Sequence, residues 1–180
     1  MRIVGGKYRG KKLWVPEGRN VRPTSERARE AIFNILYSKL GGDYSALSLL
    51  DIFCGTGAFG FEALSRGFQH VTFLDADTVP VQKNAKLFAA EKERFTILKN
   101  DATRLSKARR KFDVVFMDAP YARGLSEAAL GQLLSQNWLS DHAVCIVEIR
   151  KDERWPLPEG VVLLDERVYG LARIIFLQKV

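Results

Sequence analysis

SLLDIFCGTGAFGFEALSRG, residues 48–67, runs from an apolar segment into a carboxylate, Asp51. Phe53 and glycines 55, 57 and 60 follow, and then a helix-like segment. Strand, glycine-rich turn and helix is the arrangement that lets a backbone approach a nucleotide closely. The glycines alone fit G-x-G-x-x-G, which also suits a dinucleotide or a turn with no ligand at all. Asp51 separates these readings. A dinucleotide turn offers its helix N-terminus to a pyrophosphate, and a carboxylate beside that anion is disfavoured. A cationic ligand suits it better.

Strands are expected at 47–53, 70–75, 94–98, 112–117, 143–149, 161–168 and 171–179, and helices near 57–66, 78–92 and 125–135, with a short helical turn at 102–108. Strands that alternate with helices indicate an open, mostly parallel sheet. Only about two residues around Gly170 separate the last two strands, so they form a hairpin and one of them runs antiparallel. Upstream, Pro23-Thr24 opens a helix with Thr24 as its cap, and Ala28, Ile32, Ile35, Leu36 and Leu40 form its apolar stripe. Residues 1–22 read as a basic extension of two short strands, too short for a core of its own, ahead of a main domain at 23–180.

The 180 residues are 47% hydrophobic and 27% charged, which suits one soluble globular domain. No apolar run approaches the roughly 20 residues of a membrane span, and the N-terminus lacks a signal-peptide core, so a cytoplasmic monomer is expected. Cys54 and Cys145 are isolated and make neither a disulfide framework nor a zinc site. The net charge of +7 is uneven, because residues 1–30 carry nine cations against three anions. A basic patch of this kind suits nucleic acid.

Ligands of open α/β sheets sit at the carboxyl ends of the strands. Asp51, Asp75 and Asp77, Asp101, and Asp118-Ala119-Pro120-Tyr121 follow the first four strands in order. A carboxylate about 20 residues past a glycine turn can accept both ribose hydroxyls, and Asp75 is placed for this. Asp77 suits a helix cap. Asp101 can accept from an adenine amino group while Ala102 offers its N–H to a ring nitrogen, or Asp101 can cap a helix. The Asp118 carboxylate and the Ala119 carbonyl can both accept from an exocyclic NH₂, with Pro120 fixing the backbone and Tyr121 stacking on the base. An adenosine ligand that also carries an ammonium and a sulfonium, and no phosphate, is S-adenosylmethionine.

The order D-x-F-x-G-x-G-x-x-G, an acidic end of the second strand, N-D-A and D-x-P-Y resembles the Rossmann-like S-adenosylmethionine-dependent N-methyltransferases. MRIVGGKYRGKKL, RPTSERAREAIFNIL and NWLSDHAVCIVE extend the resemblance over nearly the whole chain to the RsmD family. It implies a seven-stranded sheet with a C-terminal antiparallel hairpin strand and a small N-terminal β-hairpin. It implies methylation of the 2-amino group of a guanine in bacterial small-subunit ribosomal RNA, free or in the assembling subunit, with S-adenosylhomocysteine as product. Asp51, Phe53, Gly55, Gly57, Asp75, Asp101 and Ala102 would then hold the cofactor. Asp118, Ala119, Pro120 and Tyr121 would form the reaction centre, and Lys7, Arg9, Lys11, Lys12, Arg22 and Arg27 would meet RNA phosphates.

The sequence departs from the family's D-P-P-F/Y at Ala119, which keeps the carbonyl but loses the fixed φ. Ala119 still precedes Pro120, so its backbone stays biased toward extended values. A DNA adenine methyltransferase shares the D/N-P-P-Y/F logic, yet such enzymes usually carry a target-recognition domain for which this length leaves no room. A nicotinamide enzyme would need its pyrophosphate beside Asp51. A non-catalytic RNA-binding relative is the remaining alternative. Cytosine ring methylation would call for a nucleophilic cysteine in the fourth-strand motif, where there is none.

Overall fold

A computed structural model describes residues 1–17, 25–121 and 124–180. The first helix, α1 (Glu26–Lys39), begins where the Ser25 side chain accepts the Ala28 N–H at 3.1 Å. Ser25 is therefore the cap. Thr24, expected in that role, lies outside the described residues, as do Pro23 and Arg22. The alternating unit follows: β1 (Ser48–Ile52), α2 (Ala58–Ser65), β2 (His70–Asp75), α3 (Val79–Ala85), β3 (Phe95–Lys99), β4 (Phe112–Met117), α4 (Leu125–Ser135), β5 (Leu139–Arg150), β6 (Val161–Tyr169) and β7 (Ala172–Lys179).

The strands form one sheet in the order β3-β2-β1-β4-β5-β7-β6. Parallel pairing joins β3 through β5, and β7 is antiparallel to both β5 and β6. The strand expected to oppose the rest is thus β7. The first crossover leaves β1 toward β2, and the chain later returns to place β4 on the other side of β1. The order reverses at β1, and its carboxyl end is where a ligand crevice opens in such sheets.

Period-two alternation divides the strands between two cores. Leu49, Val71, Phe73, Val114, Phe116 and Ile146 face α1 and α2, packing with Phe33 and Phe61. Leu50, Ile52, Leu74, Val115, Met117 and Val147 face α4 and its Leu130 and Leu133. Gly57 and Gly60 serve this packing. A Cβ on Gly57 would lie 2.7 Å from Val81, and one on Gly60 would overlap the Phe73 ring. Gly57 also adopts φ +76°, as the residue that starts α2.

Three expected elements differ. The helix at 78–92 gives way after Ala85 to a 3₁₀ segment, Lys86–Arg94, which breaks its helical geometry at Phe88 (φ −119°). The break accompanies a flat stack of Phe88 on Phe61, with centroids 4.3 Å apart. The helical turn at 102–108 is absent, because Asp101 closes a tight turn with Thr103 and Ala108 instead bonds to Gln136. The two N-terminal strands reduce to a single antiparallel bridge, Arg2 to Lys12. Glycines at φ +75° (Gly6) and +85° (Gly10) turn the chain sharply between them.

That N-terminal segment is fastened to the domain. Ile3 and Leu13 are buried in the α1/α2 core. Glu62, on α2, accepts the Val4 and Gly5 N–H groups, each at 2.8 Å. Asn84, on α3, exchanges hydrogen bonds with the Trp14 backbone while Lys83 lies 3.6 Å above the Trp14 ring. Trp14 therefore packs the segment down.

Candidate active site

The carboxyl ends of β1 to β4 open onto a cavity of about 720 Å³. That volume suits a nucleoside-sized ligand. Asp51, Phe53, Gly55, Asp75, Asp101, Asp118, Ala119, Pro120 and Tyr121 all line it. Gly57 and Ala102, expected among the cofactor residues, do not. Gly57 is used for helix packing, and Ala102 is buried in the core on the α4 side.

Asp51 sits at the end of β1, 2% exposed, and accepts the Gly60 N–H at 2.9 Å. Burial raises its carboxyl to about 8, the Gly60 N–H opposes this, and nearby Asp75 adds to it. Phe53, next but one, adopts φ +58°, a conformation rarely held by a bulky residue. The reversal lets Phe53 and Cys54 donate toward the Leu74 carbonyl of β2 while the chain turns into the glycines. A Cβ on Gly55 would meet nothing closer than 4.0 Å, so of the three glycines it is the one that leaves room for a ligand.

Asp75 ends β2. Its Oδ2 accepts the Gly55 N–H at 2.9 Å and its Oδ1 accepts the Asp77 N–H at 2.9 Å. Both oxygens are thus held in place by backbone, with further lone pairs left for a ligand. Asp77 accepts the Val79 N–H at 3.2 Å from one residue ahead of Thr78, which is the cap of α3 in place of Asp77. Asp101 is exposed, and its Oδ1 takes both the Thr103 N–H and hydroxyl. These two bonds lower its carboxyl below the usual range.

On the opposite side, Asp118 and Tyr121 are half-buried, Ala119 is buried and Pro120 is exposed. The Tyr121 hydroxyl donates to Glu148 Oε1 at 3.3 Å. Glu148 is 3% exposed and comes from β5. Phe59 and Phe116 stack face to face, 3.7 Å between centroids, and both line the cavity. Cys54 lines it too, but burial and the nearby Asp51 and Asp75 push its thiol far above neutrality. Cys145 is buried in β5 and is pushed up to about 12. Neither is poised as a nucleophile.

Arg29 and Glu148 are the charged residues that sequence reading passed over. Each had a signal. Arg29 falls on the buried stripe of α1, three residues before Ile32 and seven before Leu36, where a charge is out of place. Glu148 interrupts the apolar run AVCIVEI.

Of the expected RNA-binding cations, Lys7, Arg9, Lys12 and Arg27 are exposed, and Lys11 is half-buried. Lys7 pairs with Glu91 at 2.6 Å, and Lys11 donates to the Leu87 carbonyl at 2.6 Å. These two therefore help dock the N-terminal segment. Bonds from Lys7 and Tyr8, with help from Arg94, hold Glu91 at about 2.

A seven-stranded sheet of this order, with carboxylates closing the ends of its first four strands around one cavity, is the Rossmann-like fold of the S-adenosylmethionine-dependent methyltransferases. The family model described as conserved hypothetical protein 95 matches residues 1–178. Ribosomal RNA small subunit methyltransferase D of Haemophilus influenzae is 35% identical over 177 residues, 95% of this chain and 90% of the relative. The protein of that name in Escherichia coli K12 is 35% identical over 173 residues, 94% of this chain and 85% of the relative. The solved structure of yhhF from Escherichia coli, 34% identical, superposes with a TM-score of 0.84 over 99% of this chain and 97% of that one. The chain belongs to the RsmD family.

Proposed function

We propose that this protein methylates the exocyclic 2-amino group of a guanine in small-subunit ribosomal RNA, using S-adenosylmethionine. The observation that carries the reading is the convergence of Asp51, Asp75, Asp101 and the Asp118–Tyr121 motif on one cavity at the switch point of the sheet. The names of the relatives support small-subunit ribosomal RNA as the substrate.

The residues present fit the donor. Asp51, buried with one N–H partner in Gly60, suits an ammonium; Asp75, fixed by two backbone donors, suits a ribose diol; Asp101 suits the adenine end. Bound S-adenosylmethionine supplies an electrophilic methyl group and leaves as the neutral thioether. The protein's work is positioning. Asp118 and the Ala119 carbonyl accept the two amino hydrogens, which turns the nitrogen lone pair out of conjugation and toward the methyl carbon. Tyr121, braced by Glu148, offers a face for the base. No strong base is needed, because the amino proton becomes acidic as the N–C bond forms, and it can then leave to Asp118 or water.

The test is transfer of tritiated methyl groups to small ribosomal subunits, and to their free RNA, from a strain lacking the gene. Digestion should give labelled N2-methylguanosine. Label in N6-methyladenosine, or transfer to DNA alone, overturns the proposal.

A further inference from the structure

We propose that Arg29 is the counter-charge for the α-carboxylate of the methyl donor's amino-acid portion, so that Arg29 and Asp51 together read the zwitterion. The inference rests on the methyl-donor reading above.

Arg29 is 1% exposed, yet it lines the cavity, and it meets α2 at Glu62 while Asp51 meets the same helix at Gly60. Its hydrogen bonding is incomplete. Nη2 donates to the Arg2 carbonyl, but among the described residues Nε and Nη1 are buried with no acceptor. Unpaired buried donors are rare in folded proteins, and a buried guanidinium is costly without a partner.

The nearest carboxylate does not fill this need. Glu62 Oε2 is 3.5 Å from Arg29 Nε and is already engaged by the Val4 N–H, while Glu62 Oε1 takes the Gly5 N–H and Arg66 Nε, each at 2.8 Å. Two guanidiniums thus share one buried carboxylate. Glu26 contributes attraction from farther away, but its oxygens are committed to the Arg2 N–H and Nε. One positive charge is left over at the cavity wall.

A guanidinium fork matches a carboxylate better than any other side chain does. The amino-acid end of the donor carries a carboxylate and an ammonium a few bonds apart. Arg29 and Asp51 offer the two opposite charges along one cavity, each set against the same helix, α2.

The test is calorimetry with S-adenosylhomocysteine and its decarboxylated analogue, which keeps the amine, on the wild type, Arg29→Met and Arg29→Lys. Ligand-free thermal melts establish that each variant is folded. The wild type should prefer S-adenosylhomocysteine by about 10- to 100-fold, the range of one charge-assisted hydrogen-bonded pair. In Arg29→Met the preference should shrink to within about threefold, because no guanidinium remains to meet the carboxylate. Arg29→Lys keeps a buried cation should the methionine variant fail to fold, and its preference should fall between the two. A wild type that binds both compounds equally, or a preference unchanged in a folded variant, overturns the role of Arg29 alone. A wild type that binds neither overturns the methyl-donor reading and this inference with it.

Discussion

The Asp75 carboxylate at the end of β2 accepts the N–H of Gly55 in the turn after β1, at 2.9 Å. One side chain therefore ties the two strand ends whose separation sets the width of the crevice. The same carboxylate receives the Asp77 N–H at 2.9 Å, so its two oxygens are oriented before any ligand arrives. Such preorganisation lowers the ordering cost of binding.

Asp75→Ala removes a ribose acceptor and the partner of two backbone donors together. Calorimetry should show S-adenosylhomocysteine binding weakened by about 10- to 100-fold. The melting temperature should fall by about 2–4 °C, the equivalent of about 1 kcal/mol in a domain of this size. Unchanged affinity would place the ribose elsewhere.

Asp118 is assigned to the transition state rather than to donor binding. Asp118→Ala should therefore lower kcat by about 100-fold or more while cofactor affinity stays within about twofold. Single-turnover transfer and calorimetry on the same preparation separate the two. Wild-type turnover in this variant would remove β4 from the reaction centre.

Ala119 departs from the family's proline at a buried position, and its φ is not positive. Ala119→Pro should leave the fold intact and raise stability by about 0.4–1 kcal/mol, through a less flexible unfolded chain. Thermal melts check this directly. A collapse in melting temperature would mean that the loop needs the Ala119 N–H or a φ outside proline's range.

Asp51 makes stability depend on pH. Its folded value is raised from 3.8 to about 8. The folded protein therefore favours the neutral acid, and the stability this carries is complete below about pH 4 and is lost as pH rises through about 8. The wild-type melting temperature should drop more between about pH 6 and about pH 9 than that of Asp51→Asn, which keeps an acceptor for Gly60 and cannot ionise. Saturating S-adenosylhomocysteine should reduce the drop, because its ammonium favours the ionised carboxylate.

The strand ends were legible because parallel strands are apolar runs stopped by the first polar residue, and in this fold those residues are Asp51, Asp75 and Asp118. The parallel run of the first strands followed from βαβ connectivity, and the antiparallel strand from the Gly170 hairpin. Gly57 was misread. A turn glycine looks the same in sequence whether it makes room for a ligand or for Val81 and Phe61. Ala102 turns its side chain into the core on the α4 side, and N-D-A says nothing of which face each residue takes. Arg29 and Glu148 went unseen for a further reason. Their positions were judged by counting apolar residues, and a charge inside a buried stripe registers only as a gap in that count. The break at Phe88 was illegible because it is set by tertiary ring stacking with Phe61 rather than by any local residue preference.

The basic N-terminal segment divides by what its side chains already hold. Lys7 and Lys11 are engaged with Glu91 and Leu87, whereas Arg9 and Lys12 are exposed on the same fastened segment and Arg27 is exposed on α1. Exposed cations on a rigid base can meet RNA phosphates without breaking an internal bond. Each phosphate neutralised adds roughly 0.7–0.9 to the magnitude of the log–log salt slope. Replacing Arg9 and Lys12 together with glutamine should weaken RNA binding and flatten that slope by about 1.5 units, while affinity for S-adenosylhomocysteine is unchanged. Methyl transfer should fall in parallel at physiological salt and partly recover at low salt, where the remaining cations are less screened. Replacing Lys7 and Lys11 instead should also lower the melting temperature, because those two hold the segment to the domain. An unchanged salt slope in the Arg9/Lys12 variant would mean that RNA docks on another face, and the segment would then serve only to cover the α1/α2 core.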